Sequence, residues 1–363
     1  QNRILSIAKA ISEGNVKRIR SYLFSLEDSF RVSVLSQYIK NAEPSPELYN
    51  LFMDYYKSTD YGFQNLSEAD IRKVLSGKSE ENKKTAEKLR KFPDTVTVYR
   101  GEGSKSTPYT QSFSWTVSYK AACFFACRLP SAEDSTIVSA EVSKDDIIEF
   151  FPERNEAEVV ILPSAVKSVK VDTLYGLESV EEEILEIMPL YQAGREEIRH
   201  LYAVHGKLDA NESGHDALHT LRVLFNALLL VEMDGIMLSE EETQMLMDAV
   251  IYHDIGRTND YVDDSHGKAS RDIYAADRKP ENPGTGFLIE YHCLDDAVAR
   301  RDLEALSLPN VDRIWLLYTI LKDADALDRV RFGLRYLNPK YLRNDTAHKI
   351  LPVAQLCLEH LTF

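Results

Sequence analysis

The hydrophobic periodicity of this chain changes twice, and that change limits the folds open to it. From residue 1 to about residue 92 the apolar positions recur at helical spacing, as in Ile4, Leu5, Ala8 and Ile11, and again in Leu48, Leu51, Phe52 and Tyr55. Ser45-Pro46-Glu47-Leu48 and Ser67-Glu68-Ala69-Asp70 read as helix starts, each a capping residue followed by acids that suit the helix dipole. At Pro93 the pattern shortens to strand-like segments: Thr95 to Tyr99, Thr136 to Val142, Ile147-Ile148 and Glu158 to Leu162. A helical stretch, Val117 to Arg128, lies among them. From Val180 onward helical spacing returns and persists. The expected fold is therefore an α+β first half, with a helical segment (1–92) and a β-rich core (93–172), then a linker (173–195) and an all-α second half (196–363).

A length of 363 residues suits about two to three domains, and 44% hydrophobic residues are enough for each half to bury a core. The formal net charge of −15 argues against broad attraction to nucleic-acid backbones, which are bound through Lys and Arg, although a local basic groove stays open. The longest apolar run, around Leu228-Leu229-Leu230-Val231, is far short of the ~20 residues that span a bilayer, so no membrane partner is expected. The N-terminus lacks the apolar region and cleavage site of a secretory signal, and a chain beginning at Gln1 is expected to be processed or truncated. Cys123, Cys127, Cys293 and Cys357 form no Cys-x-x-Cys pair. They fit reduced thiols in a cytoplasmic setting, either the producing cell's or that of a target cell into which the protein is translocated. Cys123 and Cys127, four apart in an apolar run, read as packing residues.

The second half carries a histidine and aspartate constellation. In His215-Asp-Ala-Leu-His219-Thr-Leu-Arg222, two imidazoles project from one helix face beside a leucine stripe. Then Tyr252-His253-Asp254-Ile255-Gly256-Arg257 sets an imidazole and a carboxylate side by side. Adjacent helical residues diverge by about 100°, so the pair can converge on one ion only near a helix end, which Gly256 permits. His266, His292 and the acidic run Asp323-Ala-Asp325-Ala-Leu-Asp328 follow. Imidazoles mixed with carboxylates suit first-row divalent metals, which lower the pKa of bound water.

This order resembles the HD superfamily of metal-dependent phosphohydrolases and phosphodiesterases over about residues 196 to 345. The resemblance implies His219, preferred over His215, as the first metal ligand, His253 and Asp254 as the paired ligands and Asp325 as the last, with Asp323 and Asp328 as alternatives one helix face away. It implies further ligands or phosphate contacts at His266 and His292, and one or two ions of Mn, Mg or Fe. Arg257 and Lys322 are candidate phosphate contacts for a nucleotide or other phosphoester substrate.

The β-rich core has its own set, in order: Val98-Tyr99-Arg100-Gly101, Ser112-Phe-Ser114-Trp115-Thr116, and Arg154-Asn155-Glu156-Ala157-Glu158. Strand alternation places Glu156 and Glu158 on one face, where two carboxylates could stabilise an oxocarbenium-like centre and accept a proton. The set resembles the ADP-ribosyltransferases of the arginine, serine, glutamate type, over about residues 93 to 165. The resemblance implies that Arg100 holds NAD, that Ser114 or Ser112 orders the site, that Glu158 stabilises the ribosyl cation and that Glu156 activates the acceptor. Tyr99, Tyr109 and Trp115 are candidates to stack on nicotinamide. The Ser-Trp-Thr sequence departs from the family's more usual Ser-Thr-Ser. The acceptor, a protein or a nucleic acid, is not named by the sequence.

Together these readings give a bifunctional enzyme: NAD-dependent ADP-ribosyl transfer to a macromolecule, and metal-dependent hydrolysis of a nucleotide or ADP-ribose-derived phosphoester. One alternative keeps only the phosphohydrolase catalytic, with a nucleotide-sensing first half. Another makes the whole chain a binding or toxin-immunity protein with both sites degenerate.

Overall fold

The computed structural model describes residues 2–58, 62–79, 89–103, 106–127, 135–152, 156–206, 215–333 and 336–361. The chain divides into two compact units, Gln1–Ala122 with Ile137–Asp172, and Cys123–Thr136 with Thr173–Phe363. A mixed α+β part is followed by a mainly helical one. No helix among the described residues is long and apolar enough to cross a membrane.

The first unit opens with helices α1 (Asn2–Ser12), α2 (Val16–Leu23), α3 (Asp28–Asn41), α4 (Pro46–Tyr56) and α5 (Glu68–Leu75). Three of them start where capping chemistry dictates, α2 behind Asn15, whose side chain accepts from the Arg18 N–H at 3.1 Å. Ser45 accepts from the Leu48 N–H with Pro46 in the first turn, and Ser67 forms a reciprocal capping box with Asp70. Strands β1 (Thr95–Glu102), β2 (Ser114–Thr116), β3 (Thr136–Ser143), β4 (Ile147–Phe151), β5 (Glu158–Ile161) and β6 (Val169–Thr173) form one sheet, in the order β4-β5-β2-β1-β3-β6. The periodicity does not announce β2, which is three residues long, or β6, which carries two valines and is almost wholly exposed.

Strand β5 is buried throughout because its side chains alternate between two apolar layers. Val160 packs with Leu48, Phe52 and Tyr56 of α4, whereas Val159 and Ile161 pack with Val96, Trp115 and Val138. The pairing of β5 with β2 is antiparallel, with Ser114 opposite Val160, Trp115 opposite Val159 and Thr116 opposite Glu158. Ser114, Thr116 and Glu158 therefore share the face that α4 covers. After β2 comes α6 (Tyr119–Cys127), in which Cys123 and Cys127 are fully buried.

The second unit contains α7 (Glu181–His205), α8 (Ala217–Met233), α9 (Glu240–Tyr252), α10 (His266–Asp277), α11 (Pro283–Tyr291), α12 (Asp296–Ala305), α13 (Val311–Leu327), α14 (Asp345–Lys349) and α15 (Leu351–His360). The stretch read as a linker holds much of α7 instead. Glu181, Glu182 and Glu183 suit the helix N-terminus, and Ile187, Tyr191, Gly194, Ile198 and Leu201 bury one stripe. Helix α8 is buried from His219 to Leu230 and packs against α7, α9, α13 and α15, so it is the centre of this unit. An apolar sequence on all sides gives that placement.

One buried carboxylate on α9 makes this packing pH-dependent. Burial pushes the Asp248 carboxyl up to about 6, although Gln244 Nε2 donates to it at 3.0 Å. The nearest guanidinium nitrogen of Arg278 lies 3.4 Å away. Because the folded-state value exceeds the unfolded one, the stabilising contribution of the protonated form is complete below about pH 4 and is lost as pH rises through about 6. Asp248→Asn is therefore expected to gain about 1–2 kcal/mol on wild type between pH 4 and pH 7.5. Thermal melts of both proteins at the two pH values check this, and a gap that does not widen with pH contradicts it.

Candidate functional site

In the second unit the histidines and aspartates singled out by the sequence come from helix ends. His219 sits in the first turn of α8, fixed there because its N–H donates to the capping Asp216 carboxylate at 2.8 Å. His253 and Asp254 follow the last residue of α9, His266 opens α10, His292 follows α11, and Asp325 lies in the last turn of α13. His219, His253, Asp254, His266 and His292 are all buried, whereas the Asp325 side chain is 34% exposed.

Each ring is held by its Nδ1. His253 Nδ1 donates to the Val250 carbonyl at 2.7 Å, His292 Nδ1 to the Ile289 carbonyl at 2.7 Å, and His266 Nδ1 to the Asp263 carbonyl. In each case the acceptor lies three residues earlier, and for α9 and α11 it is a carbonyl that the ending helix leaves without an intrahelical partner. His219 Nδ1 meets Asp328 Oδ2 at 2.7 Å instead. With Nδ1 engaged in this way, the nitrogen that each ring turns toward its neighbours is Nε2, which carries a lone pair in the neutral Nδ1–H tautomer.

Those Nε2 atoms face one another. His219 and His253 approach to 3.2 Å, and His266 and His292 to 2.9 Å. Asp254 stands between the pairs. Its Oδ1 is 3.0 Å from His266 Nε2 and 3.3 Å from His292 Nε2, and its Oδ2 is 3.5 Å from His219 Nε2. Asp325 Oδ1 is 3.4 Å from His219 Nε2. Opposed lone pairs at such distances repel unless a cation lies among them, and an imidazole fixed through its other nitrogen is the arrangement found in metal sites. Burial pushes the His253 imidazole down to about 4, which keeps it a neutral donor at pH 7. The sets His219, His253, Asp325 and His253, Asp254, His292 could each hold an ion, and so could His266, His292 and Cys293.

The neighbouring charged residues divide clearly. Asp328 is braced behind His219 by Arg222 at 2.5 Å and Arg331 at 3.1 Å. Asp323 is occupied by the backbone N–H groups of Arg343 and Asn344 and their side chains. Of the three aspartates, Asp325 alone meets an Nε2 atom. His215 pairs with Asp260 at 2.8 Å. Arg257 Nε binds Asp254 Oδ1 at 3.1 Å, at the edge of the cluster. Lys322, read as a phosphate contact, is held elsewhere: it donates to the Leu294 carbonyl at 2.6 Å and pairs with Asp296. Asp328, which the sequence offers only as an alternative ligand, instead braces His219, and that role and its supports Arg222 and Arg331 escaped the sequence reading, because nothing local marks a carboxylate that acts through an imidazole more than 100 residues away.

Two glycines permit the convergence. A Cβ on Gly256 would lie 2.4 Å from the Ser270 nitrogen, and one on Gly267 would lie 2.3 Å from the Glu290 oxygen. The second contact lets the start of α10 lie against the end of α11, which is what brings His266 to His292.

The first unit holds a smaller cluster. Arg100 donates from Nη1 to the Ser114 carbonyl at 2.9 Å, from Nη2 to the Thr107 carbonyl at 2.6 Å, and from Nε to Glu102 at 3.0 Å. Ser114 Oγ donates to Glu158 Oε1 at 2.8 Å, and so does the Tyr56 hydroxyl at 2.9 Å. Ser112 Oγ accepts from the Ser114 N–H at 3.3 Å, and the Tyr99 ring stands edge-on to Tyr119. Arg100, Ser114 and Glu158 are thus linked.

Two expectations for this cluster need correction. Trp115 is 2% exposed and packs in the apolar layer on the opposite face of β2 from Ser114, so it offers no surface to a cofactor. Glu156 lies outside β5, and Ala157 between the glutamates has φ +45°, which breaks the alternation that would align them. Arg154 and Asn155 lie outside the described residues. Tyr56 is the contact that the sequence does not mark, since a tyrosine in an apolar helical run reads as core.

Comparison of the chain with protein-family models, with curated proteins and with solved structures gave no match.

Gly267→Ala tests the assembly of the cluster. It is expected to push α10 from α11, cost about 2–3 kcal/mol and lower the amount of any metal that His266 and His292 hold. Denaturant melts and elemental analysis of the purified variant measure both effects, and wild-type values in both contradict the arrangement.

Proposed function

We propose that the chain carries two enzymes, an HD-type metal-dependent phosphohydrolase or phosphodiesterase in its second unit and an NAD-dependent ADP-ribosyltransferase in its first. The observation that carries the first assignment is the facing of four Nε2 atoms around Asp254 while all four Nδ1 atoms are engaged. His219, His253, Asp254 and Asp325 would hold one ion, with His266, His292 and Asp254 holding a second. Bound ions of the Mn, Mg or Fe type supply Lewis acidity toward a phosphoester and an acidified water. The protein's own residues fix the rest. Asp328 keeps His219 in the tautomer that presents Nε2, Arg331 offsets carboxylate charge from behind that ring, and Arg257, at the edge of the cluster, favours an approaching phosphate.

The hydrogen-bonded series Arg100, Ser114, Glu158 supports the second assignment. In this reading the bond from the ribose C1′ to nicotinamide breaks, and its electron pair leaves on nicotinamide. Glu158 faces the resulting cation. An acceptor nucleophile on a protein or nucleic acid forms the new bond to C1′ and releases its proton to a base. The displacement of Glu156 and the burial of Trp115 favour a second reading, in which this unit binds NAD or a related nucleotide without turning it over.

Replacing His253 with Ala and Asp254 with Asn is expected to abolish Mn²⁺-dependent hydrolysis of an activated phosphodiester and to remove bound metal, while chelation lowers the Tm of wild type alone. Undiminished hydrolysis by the double variant sinks the metal-site assignment. For the first unit, wild type incubated with NAD is expected to release nicotinamide, read by mass spectrometry, with a loss of about a hundredfold or more in Glu158→Gln. NAD binding without release, even with lysate added as acceptor, would instead favour the nucleotide-binding reading.

A further inference from the structure

Helix α4 lies in a stretch whose sequence carries no chemical motif, yet two of its tyrosines reach carboxylates on the sheet. Tyr49 and Tyr56 stand about two turns apart and so share a helix face. The Tyr49 hydroxyl donates to Glu149 on β4, and the Tyr56 hydroxyl donates to Glu158 on β5 at 2.9 Å. The company of the two carboxylates differs. Glu149 is paired with the Lys78 ammonium, which neutralises it locally and makes this contact an anchor for the helix. Glu158 has no ion pair among the described residues. Its Oε1 accepts from both Tyr56 and Ser114, and its Oε2 accepts from none of the described residues.

A carboxylate gripped on one oxygen by two neutral donors is fixed in direction without having its charge cancelled. Its other oxygen is left to meet what enters. The geometry points to Tyr56 as a positioning residue for Glu158: with Ser114 it orients the carboxylate so that Oε2 faces the ribosyl centre of NAD. This inference rests on the transferase reading above. Burial first, and then Glu158, push the Tyr56 phenol well above its ordinary value, so it remains a donor at any physiological pH. A helical layer that reads as scaffold would thereby contribute directly to the chemistry of the sheet.

The test follows nicotinamide release by the full chain as a function of NAD concentration, in wild type, Tyr56→Phe, Tyr49→Phe, Glu158→Gln and the Tyr56→Phe/Glu158→Gln double variant. Tyr56→Phe is expected to lower kcat about tenfold or more with KM for NAD within about twofold. It should cause no further loss in the Glu158→Gln background. Tyr49→Phe removes the matching hydroxyl from the same helix face, and is expected to lower Tm while leaving kcat and KM within about twofold. Equal losses of kcat in the two tyrosine variants, or a Tyr56→Phe loss that persists without Glu158, overturn the positioning role. A fluorinated tyrosine at position 56 keeps the shape and strengthens the donor, so a shift in kcat at constant Tm supports the role even where Phe impairs folding, and an unchanged kcat overturns it. Wild type that shows no Glu158-dependent release overturns the transferase reading and this inference together, whereas release that Tyr56→Phe leaves intact overturns the inference alone.

Discussion

The carbonyls of Val250, Asp263 and Ile289 and the carboxylate of Asp328 govern the polar centre of the second unit, because each takes the Nδ1 proton of one histidine. Once those four bonds are made, the rings cannot turn away. Their remaining nitrogens must crowd around Asp254, inside a core where an unpaired polar atom costs about 1–3 kcal/mol. The other features of the region follow from that crowding. Gly256 and Gly267 let helix ends approach closely enough to make it, and Arg222 and Arg331 hold the acid that holds His219. A buried centre with this many carboxylates and lone pairs calls for positive charge, and the two arginines sit behind the rings rather than among the Nε2 atoms.

The first unit handles buried acids differently. Glu149 meets an ammonium and a phenol, while Glu158 meets two hydroxyls and no cation among the described residues. Neutral donors leave a carboxylate its charge, which is the property wanted of a group that faces developing positive charge. The sheet supplies the direction. Because Ser114 lies opposite Val160 and Thr116 opposite Glu158, the antiparallel register brings the serine hydroxyl and the carboxylate onto one face. Helix α4 closes that face with its tyrosines.

Much of this is readable from the residues, and the failures have identifiable causes. The helix starts at Pro46 and Glu68 carry their caps in the sequence, and the change to strand periodicity at Pro93 precedes β1 by two residues. The histidines and aspartates that converge stand out by type and order, since several such residues beside apolar helices are rare without a purpose. What lies behind them does not. Asp328 serves His219 across 109 residues, and Tyr56 serves Glu158 across 102, so no local pattern reports either contact. Alternation misplaced Glu156 because it assumes an unbroken strand, whereas the single left-handed residue Ala157 resets the face. Trp115 was misread for a related reason: its neighbour Ser114 faces α4, and period two sends the next side chain to the other layer.

That the clustered histidines sit where helices begin and end also determines which changes of chain length the second unit tolerates. Loops such as 257–262 run between the clustered histidines, and lengthening them leaves each ring attached to its own helix end and to the carbonyl that holds it. One residue added within α9 or α11 instead rotates everything beyond it by about 100° and shifts it by about 1.5 Å, carrying His253 or His292 away from its partners. The cluster thus tolerates change in the connections, while the lengths of α9 and α11 are fixed to the residue.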